Sequence, residues 1–267
     1  MAMIKVQNLT KSFGGKKLLN DISFTLNEGE RLSLLGPGGC GKSTVLKIIL
    51  DLIKADSGDI EVFSQNLSEL PEDQKRELLK KVGMAFQQGA LFDFMTVEEN
   101  LEFAAENMTK LSPEERKQKI KTLLDGVKMP KSATQFPYEL SGGMQRRVGI
   151  ARALVTDPQI ALFDEPTSGL DPVTSTIILN MIMDLSAKMK AGSQIIATSN
   201  VEIAMRFADR ILILNNGKIV ADGTWQDLLL NGSEWVKKFL SVRLIGLDRD
   251  YALELKLPEA FIKQHWQ

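Results

Sequence analysis

The chain has 267 residues, 43% of them hydrophobic and 25% charged, which suits one large globular domain or a domain with a subdomain and a tail. Its 33 Lys and Arg residues nearly balance 34 Asp and Glu residues, so nothing favours a nucleic-acid-binding protein, and no nucleic acid is expected as a partner. The one cysteine, Cys40, excludes an intrachain disulfide and fits a reducing compartment. No signal peptide and no membrane span of roughly 18 apolar residues is visible, so we expect a cytoplasmic protein that reaches a membrane through a partner.

The order of the predicted elements favours an α/β fold. Alternation of apolar and polar residues predicts two strands near the N-terminus, and residues 27–30 predict a turn. Strands separated by helices are typical of a parallel sheet flanked by helices. The predicted strands are residues 4–6, 22–26, 31–35, 81–86, 160–163, 193–197 and 210–214, and the clearest predicted helices are residues 44–52 and 174–189.

Two parts of the chain differ from this alternation. Residues 96–154 are rich in Glu, Lys, Met and Leu at helical spacing, with a helix start at Ser112-Pro-Glu-Glu. They predict a helical subdomain inserted into a main domain of residues 1–240. Residues 241–267 change character again, with one alternating segment at 251–257, and predict a C-terminal accessory tail.

The stretch Gly36-Pro-Gly-Gly-Cys-Gly-Lys-Ser-Thr44 lies between a predicted strand and a predicted helix. Its glycines allow backbone N–H groups to converge on phosphate oxygens, and the following helix presents its positive end to the same anion. Lys42 would reach the β- and γ-phosphates, and the Ser43 hydroxyl would bind Mg²⁺. Nucleotide contacts are therefore expected from Gly36, Pro37, Gly38, Gly39, Cys40, Gly41, Lys42, Ser43 and Thr44.

A pair of carboxylates, Asp164 and Glu165, directly follows the apolar strand at 160–163. Folds of this class bind ligands at the carboxyl ends of strands. We expect Asp164 to hold Mg²⁺ through water and Glu165 to polarise the water that attacks the γ-phosphate. Such a pair also occurs at solvated strand ends, but its position downstream of a phosphate loop favours the catalytic interpretation.

Further short motifs support a family assignment. Leu140-Ser-Gly-Gly-Met144 opens a predicted helix, and Ser168-Gly-Leu-Asp171 follows the carboxylate pair. Together with the phosphate loop, they make the chain resemble the ATPase subunits of ABC transporters from residue 3 to about residue 240. The corresponding motifs are Walker A at 36–44, Walker B at 160–165, the signature motif at 140–144 (with Met144 where Gln is more usual), the D-loop at 168–171, the Q-loop residue Gln87 and the adenine-stacking Phe13.

This resemblance implies an ABC-type nucleotide-binding fold with N-terminal antiparallel strands, a parallel core sheet and the helical insert. It also implies a homodimer in which two copies pair head to tail and enclose two ATP molecules. Ser141 and Gly142 of one copy would cap the γ-phosphate held by Lys42 of the other. The amides of the helix that begins near Gly143 would again face an anion.

A finer resemblance rests on the segment Gln88-Gly-Ala-Leu-Phe-Asp-Phe-Met-Thr-Val-Glu-Glu-Asn100, which is similar to that of Mla-type ATPases. Those proteins power phospholipid transport between the membranes of Gram-negative bacteria. They sit on an integral-membrane permease dimer that carries an MCE-type lipid-binding protein, and several use a C-terminal extension to contact the neighbouring ATPase. The apolar run at 88–95 would form part of a groove for a permease coupling helix, or alternatively pack into the core.

The chain departs from the family at one catalytic position. Where these proteins have a histidine that contacts the γ-phosphate, this chain has Ser199 followed by Asn200, and its only histidine is His265. Hydrolysis could persist at a lower rate through Glu165, ATP could act as a slow switch, or Ser199 or Asn200 could supply a weaker contact. The first and third alternatives are favoured because the other catalytic residues are all present.

Cys40 raises a separate question about reactivity. The helix N-terminus and Lys42 should favour its thiolate, so that thiol reagents would block ATP binding. The alternative is that the cysteine merely occupies a variable position of the loop.

The sequence thus predicts an ATPase that uses ATP and Mg²⁺ to drive transport of phospholipid or a related hydrophobic substrate, as a peripheral homodimer on the cytoplasmic face of the inner membrane. The alternative function is an ATP switch or scaffold at the membrane with little or no hydrolysis. The residues expected to act in catalysis are Glu165, Gln87 and Ser199, and those expected to hold Mg²⁺ are Ser43, Gln87 and Asp164. Outside the phosphate loop, nucleotide contacts are expected from Phe13, Ser141, Gly142, Gly143 and Asp171.

Overall fold

The computed structural model describes residues 1–188 and 192–244. Most of the predicted tail, including its alternating segment at 251–257 and His265, lies outside the described residues. Among the helices within them, none is both long enough and apolar enough to cross a membrane.

Ten strands and nine α-helices form in the described part of the chain. A short 3₁₀ helix, Pro137–Glu139, precedes the signature motif. The strands are β1 (Ala2–Phe13), β2 (Lys16–Asn27), β3 (Arg31–Leu35), β4 (Ser57–Val62), β5 (Gln65–Asn66), β6 (Val82–Ala85), β7 (Ile160–Asp164), β8 (Ser193–Thr198), β9 (Arg210–Asn215) and β10 (Lys218–Gly223). The helices are α1 (Lys42–Ile49), α2 (Glu72–Leu79), α3 (Val97–Met108), α4 (Pro113–Gly126), α5 (Gly142–Leu154), α6 (Pro172–Lys188), α7 (Val201–Phe207), α8 (Trp225–Asn231) and α9 (Glu234–Leu244).

Two sheets organise these elements. A four-stranded antiparallel sheet has the order β2-β1-β4-β5, and a six-stranded sheet has the order β10-β9-β3-β8-β7-β6. In the second sheet all neighbours run parallel except the edge strand β10. Strands β7 and β8 are buried at every residue, as expected of parallel strands covered on both faces. The predicted combination of antiparallel N-terminal strands and a parallel core sheet is confirmed.

The hydrophobic core lies on both faces of the parallel sheet. The antiparallel sheet, α1 and α2 bury their apolar residues against one face. Helices α3 to α9 bury theirs against the other face. This arrangement leaves the carboxyl ends of β3, β7 and β8 at one edge, where the loops that follow these strands meet.

The N-terminal strands are much longer than the sequence predicts. Strands β1 and β2 each extend over 12 residues, because polar residues on the exposed side continue the same antiparallel ladder. Helix α1 ends at Ile49 rather than at residue 52, since Asp51 has a φ of 57°, a left-handed value that a helix cannot continue. Helix α6 matches the prediction for 174–189 up to Lys188, and residue 189 lies outside the described part.

Three α-helices lie in the region 96–154, where the sequence predicts helical structure. Helix α3 begins after Thr96 and helix α4 after Ser112, and both starts are capping boxes with a glutamate three residues later. Helix α5 begins at Gly142 and ends at Leu154, the last residue of the predicted insert. Helices α2, α7, α8 and α9 are short or weakly amphipathic, and the sequence pattern gave no separate prediction for them.

Candidate functional site

The loop between β3 and α1 has the conformation that its glycines permit. Gly39 and Gly41 have φ values of 75° and 108°, in the left-handed region that favours glycine. At Gly36, a Cβ atom would lie 2.2 Å from the backbone oxygen of Leu214 on β9, so a side chain does not fit there. The backbone is therefore free to curl around an anion at the start of α1.

Lys42 is buried and has three oxygen partners, two in this loop and one on Glu165. Its Nζ donates to the carbonyl oxygens of Gly36 at 2.9 Å and Pro37 at 3.0 Å, and it forms an ion pair with Glu165 Oε1 at 3.1 Å. Only 4% of the side chain is exposed, so these partners replace the water that the ammonium group loses. The loop thus holds a positive charge where phosphate groups are expected to bind.

Ser43 and Asp164 come together across the site. The Ser43 hydroxyl donates to Asp164 Oδ1 at 2.7 Å, linking the first turn of α1 to the end of β7. Burial raises the pKa of Asp164, and the hydrogen bond from Ser43 opposes this effect. Hydroxyl and carboxylate oxygens suit Mg²⁺, and no group of three His, Cys, Asp or Glu residues in the described ranges could hold a metal. A Mg²⁺ ion at this pair would therefore need ligands of other types, such as the Gln87 amide oxygen, phosphate and water.

Glu165 is held at both of its carboxylate oxygens. Its φ of 44° is a strained value for a residue other than glycine, of the kind that often occurs at functional sites. While Oε1 faces Lys42, Oε2 accepts hydrogen bonds from the backbone N–H of Ser199 at 3.2 Å and from its hydroxyl at 3.4 Å. The residue that stands in the histidine position therefore contacts the carboxylate proposed as the catalytic base.

Asn200 has a different role. Its side chain caps α7 by accepting a hydrogen bond from the backbone N–H of Ile203 at 3.2 Å. Of the two residues that the sequence left open at this position, Ser199 is thus the one that the structure places on Glu165.

A polar cavity of about 350 Å³ lies beside Glu165 and Ser199, and residues of the 168–171 motif line its other side. Gln87 reaches this motif, with its Nε2 atom 3.5 Å from Ser168 Oγ. Asp171 accepts a hydrogen bond from the backbone N–H of Thr174 at 2.9 Å and so caps the start of α6. Within one chain, Gln87 therefore contacts the motif that lines the cavity, and Glu165 joins the cavity to Lys42 through their ion pair.

The signature residues lie apart from the phosphate loop in the single chain. Ser141 caps α5 by accepting a hydrogen bond from the Met144 backbone N–H at 3.3 Å. Gly142 is exposed, and a Cβ atom there would have no neighbour within 4 Å; at Gly143, the nearest would be Leu170 at 3.8 Å. This helix N-terminus therefore presents unobstructed amide groups to its surroundings.

Phe13 is at the end of β1, next to the turn that joins β1 to β2. It is 49% exposed, and Lys11 Nζ lies 5.3 Å from its ring centroid. Strand β2 packs against the phosphate loop, because a Cβ atom on Gly41 would lie 2.5 Å from a methyl carbon of Leu19. The hairpin thus places an exposed aromatic ring near this loop, a position from which it can stack on a base.

The expectation of a favoured Cys40 thiolate is wrong. The side chain is half-buried, and desolvation raises the pKa of its thiol, with Lys42 acting in the opposite direction. Burial was not visible in the sequence, where only the neighbouring charge and the helix N-terminus could be read.

The apolar run at 88–95 borders a groove of about 460 Å³ between the parallel-sheet region and α3. Phe92 is 36% exposed and Phe94 is 75% exposed, so plain core packing does not describe this segment.

The buried Asn100 accepts a hydrogen bond from the Phe92 backbone N–H and donates to its carbonyl oxygen, which fixes the segment to α3. Phe103 packs edge-on against Phe92, with ring centroids 5.2 Å apart. The groove is thus a preformed apolar surface.

Helix α5 also contacts the segment 87–90, through two arginine side chains and a glycine. Arg146 Nε donates to the Gln87 carbonyl oxygen at 2.9 Å, and Arg152 donates to that of Gly89 at 3.1 Å. Between them, Gly149 approaches so closely that a Cβ atom there would lie 2.6 Å from the Gly89 Cα atom. Sequence reasoning missed this contact, although an isolated glycine inside a helical pattern is a signal that could have found it.

Comparison with known proteins agrees with this geometry. Residues 19–168 match the family model described as ABC transporter. The chain is 38% identical over 243 residues to the probable ribonucleotide transport ATP-binding protein mkl of Mycobacterium tuberculosis, covering 91% of this chain and 67% of that protein. It is 34% identical over 259 residues to protein TRIGALACTOSYLDIACYLGLYCEROL 3 of Arabidopsis thaliana, covering 91% and 75%. A solved dimeric ATP-binding cassette in a post-hydrolysis state, bound to ADP and Pi, superposes with a TM-score of 0.76 at 32% identity, covering 83% and 98%.

Proposed function

The chain belongs to the ABC transporter family of ATP-binding proteins, and on that premise we propose that it hydrolyses ATP to drive phospholipid, or a related hydrophobic substrate, between bacterial membranes. The observation that carries the ATPase part is the convergence of Lys42, the Ser43–Asp164 pair and the Glu165–Ser199 pair at one sheet edge. Each of these groups has the chemistry that phosphoryl transfer to water requires.

In this proposal each side chain has one task. Lys42 would exchange its loop carbonyl partners for the β- and γ-phosphates of ATP, and Ser43, Asp164 and Gln87 would hold Mg²⁺. When bound, Mg²⁺ neutralises charge on the phosphate oxygens. Glu165, released by Lys42, accepts a proton from the attacking water, and Ser199 keeps Glu165 Oε2 in place.

A second copy of the chain completes each site in this proposal. Ser141 and Gly142 lie at an exposed helix N-terminus that is separate from the phosphate loop of their own chain, which suits a γ-phosphate bound by a partner. The related cassette was solved as a dimer. Residues 1–240 would form the ATPase domain, with the insert at 96–154, and residues 241–267 would contact the partner.

The apolar groove supports a membrane partner. Phe92, Phe103 and Leu52 border it and are 36%, 44% and 59% exposed, a cluster of large apolar side chains that favours burial by another protein. We assign it to a coupling helix of an integral-membrane permease dimer, which would hold the ATPase at the cytoplasmic face of the inner membrane. An MCE-type lipid-binding protein would complete the complex.

The lipid substrate rests on two observations. The segment 88–100 resembles that of Mla-type ATPases, and the name of the Arabidopsis relative contains that of a galactolipid. The name of the mycobacterial relative instead refers to ribonucleotides, so relatives of similar identity are named for different chemistry. The family does not by itself determine the substrate, and transport assays must separate the two.

One observation favours a second candidate function, an ATP switch or scaffold at the membrane with little hydrolysis. Ser199 replaces a histidine that would donate to the transition state, and removing one such donor costs about 10²- to 10³-fold in rate. The intact Lys42, Asp164 and Glu165 favour the working ATPase.

The test is to purify the chain with whatever multi-span membrane protein accompanies it and to place the complex in phospholipid vesicles. We expect ATP-dependent movement of a fluorescent phospholipid out of these vesicles and no ATP-dependent uptake of a ribonucleotide. ATP hydrolysis with ribonucleotide uptake alone would contradict the lipid assignment. ATP binding without measurable hydrolysis, in the presence of the membrane partner, would establish the switch instead.

A further inference from the structure

The ammonium group of Lys11 lies over the aromatic ring of Phe13. Lys11 and Phe13 are two residues apart on β1 and therefore lie on the same face of the strand. The Lys11 Nζ atom is 5.3 Å from the ring centroid, within the range of a cation–π contact. Only 15% of the Lys11 side chain is exposed, which is low for a lysine on an outer strand.

Asp56 fixes this lysine at a defined place. Its Oδ1 atom pairs with Lys11 Nζ at 2.9 Å, and its Oδ2 atom accepts a hydrogen bond from the Ser12 backbone N–H at 2.6 Å. The Asp56 backbone N–H in turn donates to the Thr10 carbonyl oxygen at 2.9 Å. The pKa of the Asp56 carboxyl is lowered, first by the hydrogen bond from Lys11. Three contacts thus join the end of β1 to the residue that precedes β4.

The Phe13 ring remains accessible although Lys11 lies over it. Lys11 lies over one side of Phe13, and the ring as a whole is still 49% exposed. A cation on one face draws π-electron density toward itself, which reduces the repulsion between the ring and a second π system stacked on the other face. The supported ring is therefore better suited to stack on a purine than an isolated phenylalanine.

We propose that Lys11, held by Asp56, is a positioning residue for the nucleobase: it orients and polarises the Phe13 ring on which adenine stacks. This inference rests on the proposed ATP-binding function and adds to it a residue outside the family motifs. Lys11 would affect binding of the base and not of the phosphates, because the base would stack on the ring face opposite Lys11.

A merely structural ion pair is the competing explanation, and the chain contains a matched example. Lys5 lies on the same strand and pairs with Glu61 at 3.1 Å, with no aromatic partner in the contacts described for it. Exposed pairs of this kind contribute little to stability. The variant Lys5→Met is therefore the control for Lys11→Met.

The first measurement is calorimetric titration of the purified full-length chain with Mg-ATP. We expect Lys11→Met to weaken ATP binding by at most about two- to fivefold, because the Lys11–Phe13 contact exists without ATP and only its effect on stacking enters the binding free energy. Lys11→Arg, which keeps the cation, should restore binding, and Lys5→Met should bind like the natural protein. Where hydrolysis is measured, Lys11→Met should raise KM by the same factor and leave kcat unchanged.

The second measurement uses inorganic tripolyphosphate, which has the phosphates of ATP but no base. Lys11→Met should bind it as tightly as the natural protein does. An equal loss for ATP and for tripolyphosphate would overturn the proposal, because Lys11 would then act as a general positive charge toward phosphate.

A double variant tests whether Lys11 acts through the ring. After Phe13→Ala, the further change Lys11→Met should not weaken ATP binding again. If the natural protein binds ATP and Lys11→Met binds it equally well, this inference fails while the proposed function stands. If the natural protein binds no ATP, both fail together.

Discussion

The carboxyl edge of the parallel sheet and the groove beside α3 have opposite chemistry. At the sheet edge, Lys42 and Asp164 are each 4% exposed, and both have hydrogen-bonding or ionic partners within the site. In the groove, Phe92 and Phe103 remain 36% and 44% exposed. Buried charged groups must find partners inside their own chain, because an unpaired one would be very costly. Apolar side chains can stay partly exposed until another protein covers them.

The two regions therefore differ in what completes them. The sheet edge carries the groups proposed for catalysis, and the folding of one chain sets their geometry. The groove is the surface that we propose for assembly, where a partner would supply the remaining contacts. In the proposed dimer, helix α5 would connect the groove to the sheet edge of the partner, since it begins after Ser141 and holds the segment 87–90 with Arg146 and Arg152. Changes at the sheet edge should therefore alter turnover and leave assembly intact.

The largest effect is expected from Glu165→Gln. Removing a general base lowers kcat by about 10²- to 10⁴-fold, because the amide cannot take the proton of the attacking water. ATP binding should persist, since the phosphate loop and Lys42 are unchanged and Lys42 stays available to the phosphates. Phosphate release and calorimetric ATP binding measure the two effects, and copurification with the membrane partner should not change. A Glu165→Gln protein with natural turnover would exclude Glu165 as the base.

The next effect is a gain of activity on Ser199→His. The cavity of about 350 Å³ beside Ser199 has room for an imidazole, which would add the donor that this chain lacks. We expect kcat to rise about tenfold or more, within the 10²- to 10³-fold assigned to one such donor. Steady-state ATP hydrolysis provides the measurement.

The matched control at this position is Ser199→Ala. It keeps the backbone N–H that donates to Glu165 at 3.2 Å and loses only the longer hydroxyl contact at 3.4 Å. A lost hydrogen bond of this kind should lower kcat about two- to fivefold. Unchanged turnover in Ser199→His would show that the missing histidine does not limit this protein.

The contact between α5 and the groove segment predicts a loss of stability on Gly149→Ala. The added Cβ would lie 2.6 Å from the Gly89 Cα atom, and backbone must move to accommodate it. Overpacking of this kind should lower the free energy of unfolding by about 1–3 kcal/mol, partly offset by the higher helix propensity of alanine. Gly142→Ala, on the same helix but with no neighbour within 4 Å, should not lose stability. Urea unfolding compares the two, and equal stability would remove the close approach as a constraint.

A structural feature could be predicted from the sequence when residues close to it in the chain determine it. The phosphate loop, the strand β3 and the capped start of α4 were predicted because neighbouring residues determine them. The sequence placed Ser199 in the histidine position but did not choose between Ser199 and Asn200. That choice depends on α7, whose cap uses Asn200, and on the position of β7 beside β8.

Other features required tertiary structure. The full lengths of β1 and β2 follow from their mutual pairing and from the pairing of β1 with β4, rather than from the alternation of apolar residues in either strand. The approach of Gly149 to Gly89 joins residues 60 positions apart in sequence; the isolated glycine in a helical pattern signals a close contact but does not identify its partner.

The smallest effect is expected at Cys40, where burial rather than charge decides reactivity. Because its thiol pKa is raised, the thiolate fraction at any given pH is smaller than that of a free cysteine. Alkylation by iodoacetamide should therefore be slower than that of glutathione at pH 7 and should accelerate as pH rises toward the raised pKa. The chain has no other cysteine, so labelling reports this site alone. Cys40→Ser should change ATP affinity less than about twofold, since its role is to fill a loop position. Alkylation faster than that of the free thiol at pH 7 would mean that Lys42 and the helix N-terminus outweigh burial after all.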